Sequence, residues 1–373
     1  MTNSIIFIYI AIISTVPYTV KVRASEQTVS PEWPAYEKRL PGSFTMNYIV
    51  LDLEWNQCPS GKRREGPRLP FEIIEIGAVR MDEDFRRQDE FHEIIRPVLY
   101  KTLHHCTRSV IHMTEADFIG KRSFPEVFSD FLAWCGEDPV FCTWGPGDLT
   151  ELERNVSWHI RQNNLPESWP FPFPFFFRDV QKIFSYVYED HKERRSLKWA
   201  VQYLNLPQDE AFHDAFSDAV YTAEVLRKLP RQTVEEYTSI DTYITPKCRR
   251  EEIYVNYGTY RKFISRSFKN RDDVMKDPVV ISTCCPVCGR KLRRKIRWFS
   301  ENGKNYLSVA ICPEHGLVKG KIRIRQNTDG EWFVIKTIRP ITDEEYEKVR
   351  RRKESVQQKR RTRRAAHNVF TLP

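Results

Sequence analysis

The chain has 373 residues, of which 40% are hydrophobic and 29% are charged; this length suits about two domains and the composition is ordinary for a soluble protein. Its net charge of +9 is divided unevenly, since residues 1–245 carry 27 Lys/Arg against 36 Asp/Glu and the remainder carries the excess of basic residues. A basic surface selected only for solubility does not explain this division. The uneven division of charge predicts an acidic catalytic body joined to an appendage that binds a polyanion.

The nine cysteines exclude a secreted disulfide framework, because their number is odd and four fall in one C-terminal region with metal-ligand spacing. This usage predicts a reducing, cytoplasmic setting. The N-terminus points the other way, since residues 5–16 resemble the apolar core of a signal peptide. That stretch is short for a membrane span, and no basic residue precedes Lys21. Residues 1–45 are therefore either a signal or anchor segment or an extension from a mistaken start codon, and the second is favoured.

In chain order, the first part of the sequence alternates strands and helices. Ser123 and Glu126 form a capping box that begins the first long helix. Predicted strands cover residues 48–53, 72–81, 90–95 and 139–144, and later helices cover 147–163, 179–188, 196–204 and 213–229. This order predicts an α/β domain over residues 46–229, with a mixed central sheet flanked by helices.

Three further segments complete the predicted organisation. Residues 169–177 alternate Pro and Phe, so they form either a loop whose rings pack into the core, which is favoured, or an aromatic platform for nucleobases. Residues 230–281 are predicted to be a linker and basic region. Residues 282–340 alternate short β-like runs around a cysteine cluster, and residues 341–373 form a basic tail with dense Lys/Arg over 350–364.

Two carboxylates, Asp52 and Glu54, stand one residue apart at the end of the first strand. Alternate residues of a strand share a face, so the two would repel each other unless a cation lay between them. Each further polar residue has an ordinary alternative, since Asp148 could simply cap a helix and His213 could lie on the surface. His213 and Asp218 meet only if His213 sits at the helix entry, because residues five apart in a helix are separated by about 140°.

Together these residues predict a two-metal site for phosphodiester hydrolysis. Four carboxylates offset the charge of two Mg²⁺ or Mn²⁺ ions that clamp the scissile phosphate. A histidine can accept the proton of the attacking water near neutral pH.

The ordered motifs resemble the DEDDh branch of the DnaQ-like 3′–5′ exonuclease superfamily, which has an RNase H-like fold. The matching motifs are D-L-E at 52–54, W-G-P-G-D at 144–148 and H-x4-D at 213–218, with residues 72–79 similar to the family's second strand. Within the superfamily the sequence is most similar to Eri-type and KapD-like exonucleases, whose members often act on RNA. The resemblance covers residues 46–229 and implies nucleic acid as the partner, with RNA favoured over DNA.

The resemblance also implies a role for each site residue. The implied metal ligands are Asp52, Glu54, Asp148 and Asp218, and the implied general base is His213. Leu53 and Trp55 would meet the terminal nucleotide, as would His112 and Met113, which align with a T-G-I-T-like run of many relatives. The bulkier His112 would change how the terminal base is wedged. Glu75, an acid on an otherwise apolar strand, either orients a neighbouring group or faces solvent.

Two short segments, 285–289 and 312–316, share the form C-P-x-[C/H]-G. Each is a turn that presents two ligands, so together they predict one structural Zn²⁺ held by Cys285, Cys288, Cys312 and His315 in a small β-rich zinc ribbon. Cys284 is a possible substitute for Cys285. The basic residues between the turns, followed by Trp298 and Phe299, suit backbone neutralisation and base stacking; a solvated basic hairpin is the alternative.

The sequence thus predicts a metal-dependent 3′–5′ exonuclease, acting on RNA, with a C-terminal nucleic-acid-binding zinc ribbon. Two alternatives stay open. One is an exodeoxyribonuclease of repair or proofreading, and the other is a regulatory protein that binds nucleic acid without cleaving it. No membrane partner is predicted beyond the signal-like N-terminal segment.

Overall fold

The computed structural model describes residues 19–21, 47–66, 68–189, 193–209, 212–257 and 259–370, without the side chains of 19–21 and 363–370. The signal-like segment 5–16 lies outside the described residues. Among the residues that are described, no helix combines the length and the apolar character needed to cross a bilayer.

A six-stranded mixed sheet forms the first domain. Its strands are β2 (Tyr48–Gln57), β3 (Phe71–Met81), β4 (Arg87–Ile94), β5 (Val140–Thr143), β6 (Phe176–Asp179) and β7 (Ser239–Ile240). The short strand β1 (Thr19–Lys21) precedes them in the chain and belongs to the second sheet. The six strands lie in the order β4-β3-β2-β5-β6-β7. The strand β2 is central, because it pairs antiparallel with β3 and parallel with β5.

Helices cover both faces of this sheet. They are α1 (His105–Val110), α2 (Phe124–Cys135), α3 (Gly147–Arg161), α4 (Val180–Tyr188), α5 (Leu197–Tyr203), α6 (Ala215–Lys228) and α7 (Arg231–Glu236). Ile49 and Leu51 of β2 pack with α2 and α3, whereas Tyr48 and Val50 pack with α4 to α7. This alternation along one strand buries both faces. The predicted α/β fold, with a mixed sheet flanked by helices, is therefore confirmed.

The Pro/Phe segment before β6 belongs to the core. Phe171, Phe175 and Phe177 are buried in the cluster that includes α2 and α3, and Trp169 stacks on Tyr243 with ring centroids 6.2 Å apart. These rings are therefore not a free platform for nucleobases.

A seven-stranded antiparallel sheet forms the C-terminal domain. Its remaining strands are β8 (Ile253–Asn256), β9 (Arg261–Ile264), β10 (Arg293–Ser300), β11 (Asn305–Cys312), β12 (Gly316–Gln326) and β13 (Trp332–Pro340), in the order β1-β8-β9-β13-β12-β11-β10. The short helices α8 (Arg271–Val274) and α9 (Pro278–Ile281) pack on one face. The long helix α10 (Asp343–Phe370) packs on the other through Tyr346 and Val349.

Residues 230–281, for which the sequence predicts a linker, are instead folded parts of both domains. They contain α7 and β7 of the first domain, and β8, β9, α8 and α9 of the second. Their strands are only two to four residues long, so the alternating pattern is too brief to stand out in a basic sequence. Ile253 and Val255 pack against Ile240 and Phe176, which joins the two domains. The predicted zinc ribbon at 282–340 is accordingly part of this larger sheet, and the predicted basic tail is largely α10.

Candidate active site

The last half of β2 supplies two of the predicted site residues. Asp52 and Glu54 point to the same face, and both side chains are half-buried. Across the antiparallel ladder Glu54 lies opposite Glu75, and Asp52 lies opposite Gly77. The site therefore begins with carboxylates on two neighbouring strands.

Helix α6 brings the next carboxylate over these strands because Gly77 has no side chain. A Cβ at Gly77 would lie 2.2 Å from the carbonyl carbon of Ala215 and from the amide nitrogen of Phe216. The first turn of α6 thus rests directly on β3. Asp218 stands in that first turn, so the close approach positions its carboxylate beside Glu54.

His213 lies just before the helix, ahead of the N-cap residue Asp214. Its backbone has φ 67°, which turns the chain back, and its N–H donates to Asp218 Oδ2 at 3.3 Å. One ligand-type atom each of Glu54, His213 and Asp218 lies within 4.8 Å of the others. His213 therefore lies at the helix entry, and this position brings it close to Asp218.

Asp148 enters from the other side of β2. It is the second residue of α3 and only 6% exposed. Its carboxylate accepts hydrogen bonds from the backbone N–H groups of Leu53 and of Asp148 itself. The four predicted carboxylates thus converge around the middle of β2.

This convergence is electrostatically unfavourable in the protein alone. Burial, then the charges of Asp148, Asp218 and Glu54, raises the pKa of Asp52 well above its usual range. Burial is also the main cause that raises the pKa of Glu54 to about 8, of Asp148 to about 7 and of Asp218 to about 6. Among the described residues, the buried Oδ1 of Asp218 has no hydrogen-bond partner. Oxygen ligands in this state fit divalent cations, which would supply the missing positive charge.

Glu75 does not face solvent, because its side chain is fully buried. Its carboxylate accepts from His92 Nε2 at 2.6 Å and from the backbone N–H of Ala215 at 3.3 Å. The bond to Glu75 raises the pKa of His92. Glu75 therefore fixes the start of α6 through Ala215. The sequence signal for this role was a single acid within an apolar strand.

Two buried polar residues that sequence reasoning missed hold the loop beside Trp55. The carboxylate of Glu72 accepts from the backbone N–H groups of residues 98–100 at 2.6–3.2 Å. Asn56 donates to the carbonyls of Tyr100 and Thr102 and accepts from the N–H of His104, each at 2.9 Å. The available sequence signals for these roles were an acid, Glu72, and an amide, Asn56, each within a strand.

The four residues predicted to meet the terminal nucleotide occupy different environments. Leu53 is 3% exposed and packs in the core, so only its backbone can face the site. Trp55 is half-buried, with its ring 5.9 Å from that of Phe71. His112 is exposed, and Met113 packs against the buried cluster around Ile74.

A second ligand cluster lies in the C-terminal domain, at the ends of β11 and β12. One ligand-type atom each of Cys285, Cys288, Cys312 and His315 lies within 4.8 Å of the others. The Cys312 sulfur is 3.7 Å from that of Cys288 and 3.5 Å from His315 Nδ1. A tetrahedral ion with Zn–S bonds of about 2.3 Å separates sulfurs by about 3.8 Å, so the set fits zinc. Cys284 is not in this cluster; its backbone forms an isolated antiparallel bridge with Lys291, outside the strands of the sheet.

The exonuclease family RNase_T matches residues 49–226, which contain all of the acidic site. No curated protein sequence matches the chain. Solved structures similar to it include the nuclease domain of 3′hExo, a DEDDh family member bound to rAMP, at 18% identity over 53% of this chain and 98% of that one, with a TM-score of 0.42. Cell-death related nuclease 4 has 19% identity over 49% and 62%, with a TM-score of 0.40. E. coli Exonuclease I with an oligonucleotide has 13% identity over 72% and 55%, with a TM-score of 0.41. Residues 49–226 are therefore similar to the RNase_T exonuclease family.

Proposed function

We propose that this protein is a metal-dependent 3′–5′ exonuclease that hydrolyses phosphodiester bonds at the 3′ end of a nucleic acid, with RNA as the preferred strand. The observation that supports the proposal is the convergence of four carboxylates and one imidazole around the middle of β2. The preference for RNA rests on the resemblance of the motifs to Eri-type and KapD-like exonucleases.

In this proposal Asp52, Glu54, Asp148 and Asp218 hold two Mg²⁺ or Mn²⁺ ions. Such ions supply positive charge to the scissile phosphate and make a nearby water easier to deprotonate. The protein's part is to keep the carboxylates close despite their repulsion. Burial against the core and the Gly77 contact with α6 provide that rigidity.

His213 is the proposed general base. An imidazole nitrogen accepts the proton of the attacking water. The residue is exposed, so the proton can then pass to bulk solvent. Two hydrogen bonds keep the imidazole near the carboxylates: the His213 N–H donates to Asp218, and the Ala215 N–H donates to Glu75. Glu75 is therefore a positioning residue in this proposal.

The cluster of Cys285, Cys288, Cys312 and His315 is proposed to hold one Zn²⁺. Four protein ligands complete a tetrahedral shell and leave no open position. The zinc is therefore structural, and it ties the segment before β10 to the turn between β11 and β12.

The proposal is tested with single-stranded RNA and DNA of equal sequence, labelled at the 5′ end, in the presence of Mg²⁺ or Mn²⁺. We expect progressive shortening from the 3′ end, faster for RNA, and none when that end carries a phosphate block. Asp52→Ala should abolish hydrolysis while the strand still binds. The matched control is Glu90→Ala, which removes an exposed acid from β4 of the same sheet. Cleavage that persists in Asp52→Ala would refute the site assignment.

A further inference from the structure

Strand β12 carries a basic residue at every second position, namely Lys319, Lys321, Arg323 and Arg325. Alternate residues of a strand point to one face, and the residues between these four are buried against the opposite face. The four side chains, here called the β12 ladder, therefore form one row with a spacing of about 6.6 Å.

On the sheet face that carries the β12 ladder, other parts of the protein cover the strands on either side of β12 and leave a groove between them. Helix α10 covers Leu307 and Val309 of β11, which lie opposite Lys321 and Lys319. On the other side, the first domain covers the apolar residues of β8 and β9. A groove of about 690 Å³ contains Lys321, Arg323 and Arg325 in its lining.

The ladder is a row of like charges without acidic partners. Among the described residues, none of its four members forms an ion pair or a side-chain hydrogen bond. Two acids act on the ladder by their charge, and each is paired with another residue. Glu345, near Lys319, is paired with Arg339. Glu301, near Lys319 and Lys321, is paired with Arg352 at 3.2 Å. Partial burial, followed by the charges of Arg325 and Arg194, lowers the pKa of Arg323. A polyanion would relieve this repulsion.

The stretch 290–297, which the sequence singles out for nucleic acid, is followed by two aromatic residues that pack into the domain, Trp298 and Phe299. Arg290 is paired with Glu314 at 2.6 Å. The indole Nε1 of Trp298 donates to the carbonyl of Ile281 at 2.8 Å, and its ring lies against Gly320. Trp298 therefore belongs to the core of the domain and cannot stack on bases.

The β12 ladder leads towards the exonuclease site. Arg194, whose charge reaches Arg323, pairs with Asp179 at 3.1 Å and lies 3.4 Å from the side-chain oxygen of Gln181. That oxygen lies 3.4 Å from the Cβ position of Gly145, in the loop that precedes Asp148. Arg194 thus lies between Arg323 and the loop that precedes Asp148.

We propose that the β12 ladder, with Arg194, binds the phosphodiester backbone of the substrate strand on the 5′ side of the end that enters the acidic site. The proposal rests on the function proposed above and extends it to a second binding segment. Contacts of Lys and Arg with phosphates are independent of sequence and depend strongly on salt. An extended single strand can follow a row of this kind along a β-strand.

The binding test compares wild-type protein with Arg323→Gln/Arg325→Gln. The probe is a fluorescent 20-nucleotide single strand with a 3′-terminal phosphate, in buffer without added Mg²⁺ or Mn²⁺, so that no cleavage occurs and the proposed zinc is not removed. We expect at least about tenfold weaker binding and a salt slope lower by about 1.4, because each lost phosphate contact on a single strand removes about 0.7. The matched control is Lys269→Gln/Lys276→Gln, which removes two exposed charges beside α8, on the opposite face of the sheet. Unchanged affinity and slope, or an equal loss in the control, would overturn the proposal.

A hydrolysis test separates this proposal from the proposed function. With metal present, Arg323→Gln/Arg325→Gln should raise KM about tenfold for the 20-nucleotide strand and leave kcat/KM unchanged for a trinucleotide, which is too short to reach the ladder. An equal loss on the trinucleotide would overturn the proposal, since the pair would then support the acidic site itself. Absence of hydrolysis by the wild-type protein would refute the exonuclease function, while the binding test would still decide on the ladder.

Discussion

Replacing Gly77 with alanine tests whether contact between β3 and α6 builds the acidic site. The new Cβ would lie 2.2 Å from two backbone atoms of Ala215 and Phe216, whereas carbon contacts are favourable only from about 3.5 Å. Backbone atoms cannot rotate away, so the start of α6 must move by more than about 1 Å. His213 and Asp218 move with it, because they flank that turn.

The size of both effects follows from this displacement. Overpacking of a well-packed contact typically costs about 1–3 kcal/mol, so the free energy of unfolding in urea should fall by that amount. A misplacement of about 1 Å in a catalytic group can cost about 100-fold in rate. We therefore expect about 100-fold lower kcat/KM on a single strand, with binding of the strand largely kept.

Gly120→Ala is the control for destabilisation without displacement of the site. Gly120 has φ +74° and open space around its Cβ position, so alanine there costs about 1–2 kcal/mol of backbone strain. It should lower stability in urea and leave hydrolysis unchanged. If Gly77→Ala had the stability and activity of the wild-type protein, the contact between β3 and α6 could not be what positions the site.

Two further measurements address the charged sites. With a chelator present, the melting temperature should fall as pH rises from about 4 to about 8, because burial raises the pKa of Glu54 to about 8, of Asp148 to about 7 and of Asp218 to about 6. Between about pH 4, where carboxyl groups titrate in an unfolded chain, and its own folded-state pKa, each group is protonated in the folded protein and ionised in the unfolded chain. The stability present at low pH is therefore lost as the pH rises to each folded-state pKa. Mg²⁺ in place of the chelator should reduce the fall, and a melting temperature that rises over this range would contradict the reasoning. Cys312→Ser should lose the zinc measured by mass spectrometry and destabilise the C-terminal domain. Cys248→Ser, at an exposed cysteine outside every group of possible metal ligands among the described residues, should keep both. Equal zinc in the two variants would exclude the cluster as its site.

Local patterns explain why much of the first domain could be predicted from sequence. The strand ending in Asp52 and Glu54, the helix starting near Asp148 and the helix entry at His213 each have a signal within a few residues. The alternation in β2 and the capping box at Ser123 are of this kind. Such signals depend only on neighbours in the chain, so they survive without knowledge of the fold.

The role of Glu75 could not be predicted in the same way. Its position in an apolar strand indicates one face of a sheet, but burial depends on what covers that face. Here the cover is the start of α6, 140 residues later in the chain. The same limit applies to β8 and β9, whose four-residue strands gain their stability from the neighbouring sheet and from Ile240.

By itself, the sequence determined which acids, histidines and cysteines occur and in what order, because chemistry and local spacing are carried by the residues themselves. It also contained the alternating basic residues of β12. Only the tertiary structure decided which of these groups meet. The absence of a side chain at Gly77 places α6 on β3, and the packing of the two domains brings Arg194 near enough to Arg323 for their charges to interact. Contacts between residues far apart in sequence depend on the shape of both partners, and no local pattern encodes that shape.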